Sequence, residues 1–250
     1  MKDVQNDIAS HGIKLSKVGI VNLEYPVRIK RPDRVHEAIL QVKVSVDLPK
    51  NQKGAHISRF IEKIEENFSI PQETESIEDL AERIVEEQLK AHKYAKNAIV
   101  ELRAKRDYKR KIYELLGRYD TASKKKTIGV KLAGTIACPC AIELNGGQSH
   151  NQRAILSLEM QTNSKKMNAE HLVEVCEQCF STPLQLMLKR PVEREIVKQM
   201  HRNPMFVEDV VRKCVYLLKK EFKGCFCRVN CVSKESIHPF DVFAEWSGVL

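Results

Sequence analysis

The chain has 250 residues, of which 42% are hydrophobic, so it holds enough apolar material for one large domain or two small ones and is not a disordered chain. Lysine and arginine outnumber aspartate and glutamate by 42 to 33, and the resulting formal charge of +9 favours an anionic partner. Dispersed basic residues and only 6% aromatic residues argue against nucleic acid, and no stretch approaches the roughly 20 apolar residues of a membrane span.

The first half of the chain carries both strand and helix patterns. Apolar residues alternate with polar ones from Leu40 to Leu48, which is the period-two pattern of a strand with one buried face. Ser76-x-x-Asp79 is a capping signal that marks the start of a helix. In chain order we predict strands at 12–31 and 40–48 joined by a turn at 31–33, helices at 56–68 and 77–92, and strands at 98–104 and 111–119.

The second half repeats this order with one inserted helix. A β-β-α-α-β-β unit used twice, with no Gly/Ser-rich linker between the copies, predicts one α+β domain over 1–250. We expect two fused pseudo-repeats, about 1–122 and 123–250, with the boundary near Thr121 to Lys126. The predicted elements are strands at 127–137 and 152–162, a helix from 168, the inserted helix at 191–202, a helix at 206–222 and a strand at 225–232.

The terminus and the cysteines indicate the cellular compartment. Residues 1–10 are polar and unlike a signal peptide, so we expect a cytoplasmic protein with no membrane partner. Eight cysteines in a chain of this size, without a secretion signal, are expected to be reduced. Cys176-x-x-Cys179 has the spacing of a redox motif, but its helical context predicts buried thiols instead.

Cys138 and His150 form the first candidate site. Cys138 ends one predicted strand and His150 opens the next, so the connection between them can bring a thiolate and an imidazole together. These groups are good ligands for zinc or ferrous iron. Cys-x-Cys is not the usual zinc-ribbon spacing, and structural cysteines are common, so spacing alone leaves metal binding and packing as equal alternatives.

Other candidates lie at the ends of predicted elements. Glu193 can supply the carboxylate ligand of a catalytic metal, or it can simply complement the dipole of the helix that it opens. Glu208 has the same alternative at the next helix, where a carboxylate can also bind the N1 and N2 donors of guanine. His238 follows a strand and is either a surface group or a proton-transfer catalyst.

A phosphate-binding candidate opens the first predicted helix. His56, Ser58 and Arg59 stand at its start, where amide groups and a guanidinium can hold phosphate oxygens. Ordinary helix capping is the alternative.

Short motifs follow one another along almost the whole chain. They are Asp3-Val4-Gln5, Val46-Asp47-Leu48-Pro49, Gly54-Ala55-His56-Ile57-Ser58-Arg59, Ala137-Cys138-Pro139-Cys140, His150-Asn151-Gln152-Arg153, Leu188-Lys189-Arg190-Pro191 with Glu193, Asn203-Pro204 with Phe206-Val207-Glu208-Asp209, and Glu235-Ser236-Ile237-His238. In this order they resemble the GTP cyclohydrolases of the type IB and archaeal type IV family.

The resemblance implies a fold and an assembly. The family has the tunnelling fold, whose β-β-α-α-β-β units form barrels across subunits, so a homodimer or homotetramer with active sites at subunit interfaces is expected. It also implies GTP as the substrate and no nucleic-acid partner. One divalent metal per subunit is implied, with Fe(II) favoured and zinc or manganese possible.

The resemblance also implies roles for individual residues. Cys138, His150 and Glu193 would bind the metal, and Cys138 thereby counts among the catalytic residues. Glu235 and His238 would transfer protons. The implied substrate-binding residues are Glu208 for guanine and His56, Ser58, Arg59, Arg153, Lys189 and Arg190 for the triphosphate.

Two branches of the family make different products. Type IB enzymes form 7,8-dihydroneopterin triphosphate, whereas the archaeal type forms 7,8-dihydroneopterin 2',3'-cyclic phosphate with a ferrous ion. The motifs around Cys138 and His238 resemble the archaeal branch more closely, so we expect the cyclic phosphate and a role in methanopterin-type pterin biosynthesis. Two features depart from that branch: a shorter stretch between Cys140 and His150, and Phe240 in place of a frequent histidine.

Two other functions are compatible with the same residues. One is another tunnelling-fold catalyst, such as a nitrile reductase, that uses its cysteine as a nucleophile and not as a metal ligand. The other is a basic oligomeric protein that binds nucleotides or nucleic acid without turnover, as the charge of +9 suggests.

Overall fold

A computed structural model describes residues 3–30, 35–69, 72–73, 76–162 and 167–250. Within this part of the chain, strands and helices alternate in two similar series. In chain order they are β1 Leu15–Lys30, β2 Val35–Leu48, α1 Ile57–Phe68, β3 Gln72–Glu73, α2 Ile77–Ala91, β4 Ala98–Tyr108, β5 Lys111–Asp120, β6 Lys125–Ala137, α3 Pro139–Leu144, β7 Asn151–Thr162, α4 Ala169–Glu177, β8 Thr182–Pro183, α5 Arg190–Arg202, α6 Val207–Glu221, β9 Phe226–Lys234 and β10 Val242–Val249.

The described residues up to Ala104, together with Leu116–Ile128, form a first compact unit. Its strand β2 pairs antiparallel with β1 on one side and with β4 on the other. The alternating apolar residues of β2 are buried as predicted, and the helices α1 and α2 pack on this sheet. The largest fully buried side chains of this core are Leu40, Phe60, Ile64, Leu80, Ile84 and Leu102.

Lys105–Leu115 and Gly129–Leu250 form a second compact unit. Its strands follow the order β10-β9-β7-β6, with β8 added to β6. The helix α6 packs on β7, β9 and β10 and also contacts α4. The core between these elements is rich in thiols, and the prediction of buried cysteines at 176 and 179 is confirmed because both are fully buried. Burial raises the pKa of the Cys231 thiol to about 12, so this thiol stays protonated and packs as a small apolar group.

Most predicted elements are confirmed within one to four residues, but α3, β10 and the two-residue strands β3 and β8 were missed. The helix α3 has only six residues, too few for a period to show. The strand β10 has apolar residues on both faces, such as Phe243 and Trp246, so its sequence does not alternate. The turn predicted at 31–33 lies outside the described residues. No helix in the described ranges is long and apolar enough to cross a membrane.

A buried carboxylate closes the end of β2 in the first unit. Asp47 is 5% exposed, and its Oδ1 accepts hydrogen bonds from the amides of Lys96 at 2.7 Å and Asn97 at 2.8 Å. The Nζ of Lys14 lies 3.1 Å from Oδ2. Burial by itself raises the pKa of this carboxyl, but the two amide donors and Lys14 outweigh it, so the pKa lies below its usual value. The carboxylate therefore fixes the turn that precedes β4 against the end of β2.

Replacing Asp47 by asparagine is expected to lower the free energy of unfolding by about 2 kcal/mol near neutral pH, because two buried amides lose a charged acceptor. The folded-state pKa is depressed, so the carboxylate stabilises the protein above its unfolded-state pKa of about 4, and this contribution is lost as the pH falls through the folded-state pKa. Urea unfolding at about pH 7 and about pH 2 measures the free energy of unfolding of the wild type and of the variant under both conditions. The gap between wild type and Asp47→Asn should shrink at the lower pH, whereas the exposed Glu24→Gln control should show no gap at either pH. An equal gap for Asp47→Asn at both pH values would contradict this account.

Candidate active site

A serine hydroxyl holds Cys138 and His150 next to each other in the second unit. Cys138 is the residue before α3, and its backbone N–H donates to the Ser149 Oγ at 2.9 Å. The same hydroxyl lies 3.1 Å from the carbonyl oxygen of Cys138 and 2.6 Å from that of His150, and its single hydrogen serves one of them at a time. We call Cys138, Ser149 and His150 the 138–150 clasp. Pro139 suits the first turn of α3, where no backbone donor is needed.

The imidazole of His150 connects the clasp to the segment after β9. Its Nδ1 lies 3.2 Å from the Oγ of Ser236. This contact follows from the antiparallel register of β7 and β9, which pairs Arg153 with Lys234 and so brings the start of β7 to the end of β9. A hydrogen bond at Nδ1 leaves Nε2 as the ring nitrogen available to a metal, which is how ligand histidines are commonly oriented.

The two predicted proton-transfer residues lie in that same segment after β9. The Oε1 of Glu235 accepts a hydrogen bond from Ser233 Oγ at 2.7 Å, which fixes one carboxylate oxygen. The rings of His238 and Phe240 are stacked, with centroids 5.1 Å apart and planes inclined by 6°. Phe240 therefore supports the flat face of the His238 imidazole and leaves its nitrogen edge to other partners.

The third predicted metal ligand is not grouped with the clasp. Glu193 lies in the first turn of α5, in an exposed stretch that also contains Lys189 and Arg190. In the described part of the chain, no three His, Cys, Asp or Glu side chains are arranged to hold a metal ion. The thiol and imidazole of the clasp are chemically suited to zinc or ferrous iron, so the donor types fit a divalent metal. The ligand set itself stays a prediction.

Glu208 lies where a carboxylate can meet a ligand. It is exposed in the first turn of α6, while the neighbouring Asp209 instead accepts the Phe206 N–H at 3.0 Å and caps the helix. Glu208 is at one end of a surface groove of about 420 Å³ between α6 and β10. The groove is also lined by Val211, Arg212, Val215, Tyr216, Lys219, Ala244, Glu245 and Trp246.

The predicted phosphate-binding residues at α1 lie in the first unit. His56 precedes the helix and is 5% exposed, whereas Ser58 is exposed and Arg59 is half-buried. The Nη1 of Arg59 donates to the carbonyl oxygen of Ala91 at 3.3 Å. Arg153, a further predicted phosphate ligand, is exposed on β7 in the second unit.

The profile of a protein family described as type I GTP cyclohydrolase folE2 matches residues 1–244 of the chain. The chain belongs to this family. Members of the folE2 family are enzymes, and so is this chain. Curated relatives of the chain carry the same enzyme name. The GTP cyclohydrolase MptA of Pyrococcus furiosus is 38% identical over 255 residues, which cover 93% of this chain and 94% of the relative. The GTP cyclohydrolase FolE2 of Dictyoglomus turgidum is 35% identical over 266 residues, which cover 98% and 96%.

Solved structures support the fold class of this folE2 family member. Uricase from Arthrobacter globiformis aligns with a TM-score of 0.56 at 7% sequence identity, covering 94% of this chain and 93% of the uricase. A hyper-thermostable mutant of that uricase aligns with a TM-score of 0.58 at 8% identity, covering 94% and 92%. At such identity the likeness concerns the fold alone. The predicted α+β tunnelling fold is confirmed.

The groups that hold the clasp in place are not evident from the sequence alone. Ser149 precedes His150 directly, and Ser236 belongs to a motif that carries the resemblance, but neither was given a role. A third such group is His201 on α5, whose Nε2 lies 3.3 Å from the carbonyl oxygen of Ser149. A serine beside a candidate ligand was the available signal, and only the strand register shows which partner each hydroxyl has.

Replacing Ser149 by alanine is expected to lower the free energy of unfolding by about 1–2 kcal/mol, because the Cys138 N–H loses its acceptor in a half-buried position. Urea unfolding measures the change. Ser247→Ala on the exposed face of β10 is the matched control and should leave the stability within about 0.5 kcal/mol. A Ser149→Ala protein as stable as that control would show that the hydroxyl does not hold the clasp.

Proposed function

We propose that this chain hydrolyses GTP, opening the five-membered ring of guanine and releasing C8 as formate. The observation that supports this most directly is the His150–Ser236 contact, because it joins two of the predicted metal ligands, Cys138 and His150, to the segment after β9 that carries Glu235 and His238. Family membership and relatives named GTP cyclohydrolase support the same reaction.

Different residues around the clasp would bind the metal and transfer the proton. Cys138, His150 and Glu193 would hold one divalent ion, with Fe(II) favoured and zinc or manganese as alternatives. Such an ion supplies the Lewis acidity that makes water a nucleophile at neutral pH. His238, supported by Phe240, would give a proton to the ring nitrogen that leaves C8.

Guanine would be held by Glu208. One carboxylate accepts hydrogen bonds from both N1–H and the exocyclic amine of guanine, and adenine has no matching pair of donors. The exposed position of Glu208, at the end of a groove that also contains Trp246, gives a base room to approach. His56, Ser58, Arg59, Arg153, Lys189 and Arg190 would bind the triphosphate.

We also propose that the complete site needs a second copy of the chain, in a homodimer or homotetramer. Glu193 lies on an exposed helix start that follows the highly exposed apolar residues Leu186 and Met187. Covering this segment with another subunit would remove apolar surface from water and surround the third ligand.

The expected product is 7,8-dihydroneopterin 2',3'-cyclic phosphate, and the alternative is 7,8-dihydroneopterin triphosphate. The cyclic product keeps only the α-phosphorus, so its formation must release one pyrophosphate for each formate. The triphosphate product releases none. Counting formate and pyrophosphate in one reaction therefore distinguishes the two branches.

Protein loaded anaerobically with Fe(II) and mixed with GTP should release formate and pyrophosphate in equal amounts, together with a fluorescent pterin. Cys138→Ala and His150→Ala should each lower kcat/KM by about a hundredfold or more, because each removes a metal ligand. Cys140→Ala is the matched control, since this thiol lies two residues away and is exposed. If neither formate nor pterin appears with iron, manganese or zinc, the proposal is wrong.

Replacing Glu208 by glutamine is expected to lower kcat/KM for GTP by about a hundredfold, because the glutamine amide offers one acceptor and places a donor against the donors of guanine. Steady-state rates of formate release measure this. The control is Glu221→Gln at the other end of α6, whose carboxylate bonds His171 at 2.6 Å. Equal losses in both variants would mean that Glu208 supports the helix and does not bind guanine.

A further inference from the structure

A short segment of the first unit, Asp3–Asp7, is hydrogen-bonded to the loop that leads into α1. The Nε2 of Gln5 donates to the carbonyl oxygen of Ala55 at 2.9 Å, and the Gly54 N–H donates to the carbonyl oxygen of Gln5 at 3.2 Å. The Nε2 of Gln52 donates to the same Gln5 oxygen at 2.8 Å. We call Asp3–Asp7 the strap. These bonds join the strap to the chain directly before His56.

Asp3 extends this contact to the imidazole of His56. Its Oδ2 lies 3.0 Å from the His56 Nε2, and the His56 side chain is only 7% exposed while that of Asp3 is 45% exposed. The hydrogen bond from His56 is the largest cause that holds the pKa of Asp3 below its usual value, so the pair has an ionised acceptor. The bond is therefore of the charge-assisted kind.

The other contacts of His56 do not fix its ring by hydrogen bonds. Its Nδ1 is buried and has no hydrogen-bond partner within the ranges that the structure describes. The ring of Tyr94 packs beside it, with centroids 6.0 Å apart. The backbone oxygen of His56 faces the Nε2 of His92 at 3.3 Å, which ties the loop to the end of α2. In the described part of the chain, Asp3 therefore provides the hydrogen bond that sets the ring orientation.

We propose that the strap positions the phosphate-binding end of α1, with Asp3 as the positioning residue that holds His56. This inference rests on the proposed function, in which His56, Ser58 and Arg59 bind the triphosphate of GTP. Asp3 itself would not touch the substrate. Without its carboxylate, the ring of His56 loses its polar partner and the loop before Ser58 loses one of its ties.

If Asp3 positions His56, removal of its carboxylate should change anion binding in the direction opposite to that expected from charge repulsion alone. Removing a carboxylate near a phosphate site should strengthen anion binding by reducing repulsion. If Asp3 instead positions His56, then Asp3→Asn should weaken triphosphate binding by roughly tenfold, the usual value of one charge-assisted hydrogen bond. Weaker binding in Asp3→Asn would therefore indicate that Asp3 positions His56. Tighter binding would indicate that the carboxylate repels the anion or blocks its site.

The experiment uses the full-length, metal-loaded protein and three readouts: KM and kcat for GTP, the inhibition constant of guanosine, and calorimetric binding of inorganic tripolyphosphate. In Asp3→Asn we expect KM for GTP to rise and tripolyphosphate affinity to fall, each by roughly tenfold, with kcat and the guanosine constant within about twofold. Asp3→Glu should restore part of the loss. Gln5→Ala, which unties the strap from Ala55 and leaves Asp3 in place, should shift the same two quantities by a smaller factor.

Glu24→Gln is the control, because it removes one exposed carboxylate of the same unit. The inference is overturned if Asp3→Asn leaves tripolyphosphate binding unchanged, or if it tightens that binding. A lower unfolding midpoint with unchanged binding would likewise assign Asp3 a purely structural role. Absence of formate from the wild type would contradict the proposed function instead, and tripolyphosphate binding would still decide whether Asp3 positions an anion site.

Discussion

The register of β7 against β9 is the constraint on which the candidate site depends. Because Arg153 pairs with Lys234, the residues before β7 meet the residues after β9, and His150 reaches Ser236. A slip of one residue would turn every side chain of β7 to the opposite face. The buried thiols and apolar residues under α6 oppose such a slip, since they would have to move into water. The packing of the core thus sets the geometry of the chemistry.

Hydroxyl groups then do the local positioning. Ser149 fixes the backbone of Cys138 and His150, and Ser236 fixes the imidazole ring of His150. Neither hydroxyl carries a charge, so they hold the backbone at Cys138 and the imidazole of His150 without competing for a cation. In the first unit the corresponding task falls to a carboxylate, Asp3, whose partner His56 is one of the predicted phosphate ligands.

The sequence allowed most of the fold to be predicted, because strands such as β2 alternate and helices such as α2 carry capping signals. It did not predict β10, where apolar residues face both sides, or α3, which is too short. Candidate ligands such as Cys138 were found from residue type and family resemblance. The contacts of Ser149 and Ser236 were not, since they depend on which strand ends meet, a tertiary property that local spacing does not encode.

The absorption spectrum of the cobalt-substituted protein tests most directly whether the clasp binds the proposed metal through Cys138. Cobalt(II) replaces zinc or iron with similar ligands, and a coordinated thiolate adds an intense charge-transfer band. We predict that band in the wild type and in Cys140→Ala, and its loss in Cys138→Ala. A wild-type protein that binds no cobalt, or a band that persists in Cys138→Ala, would contradict the account.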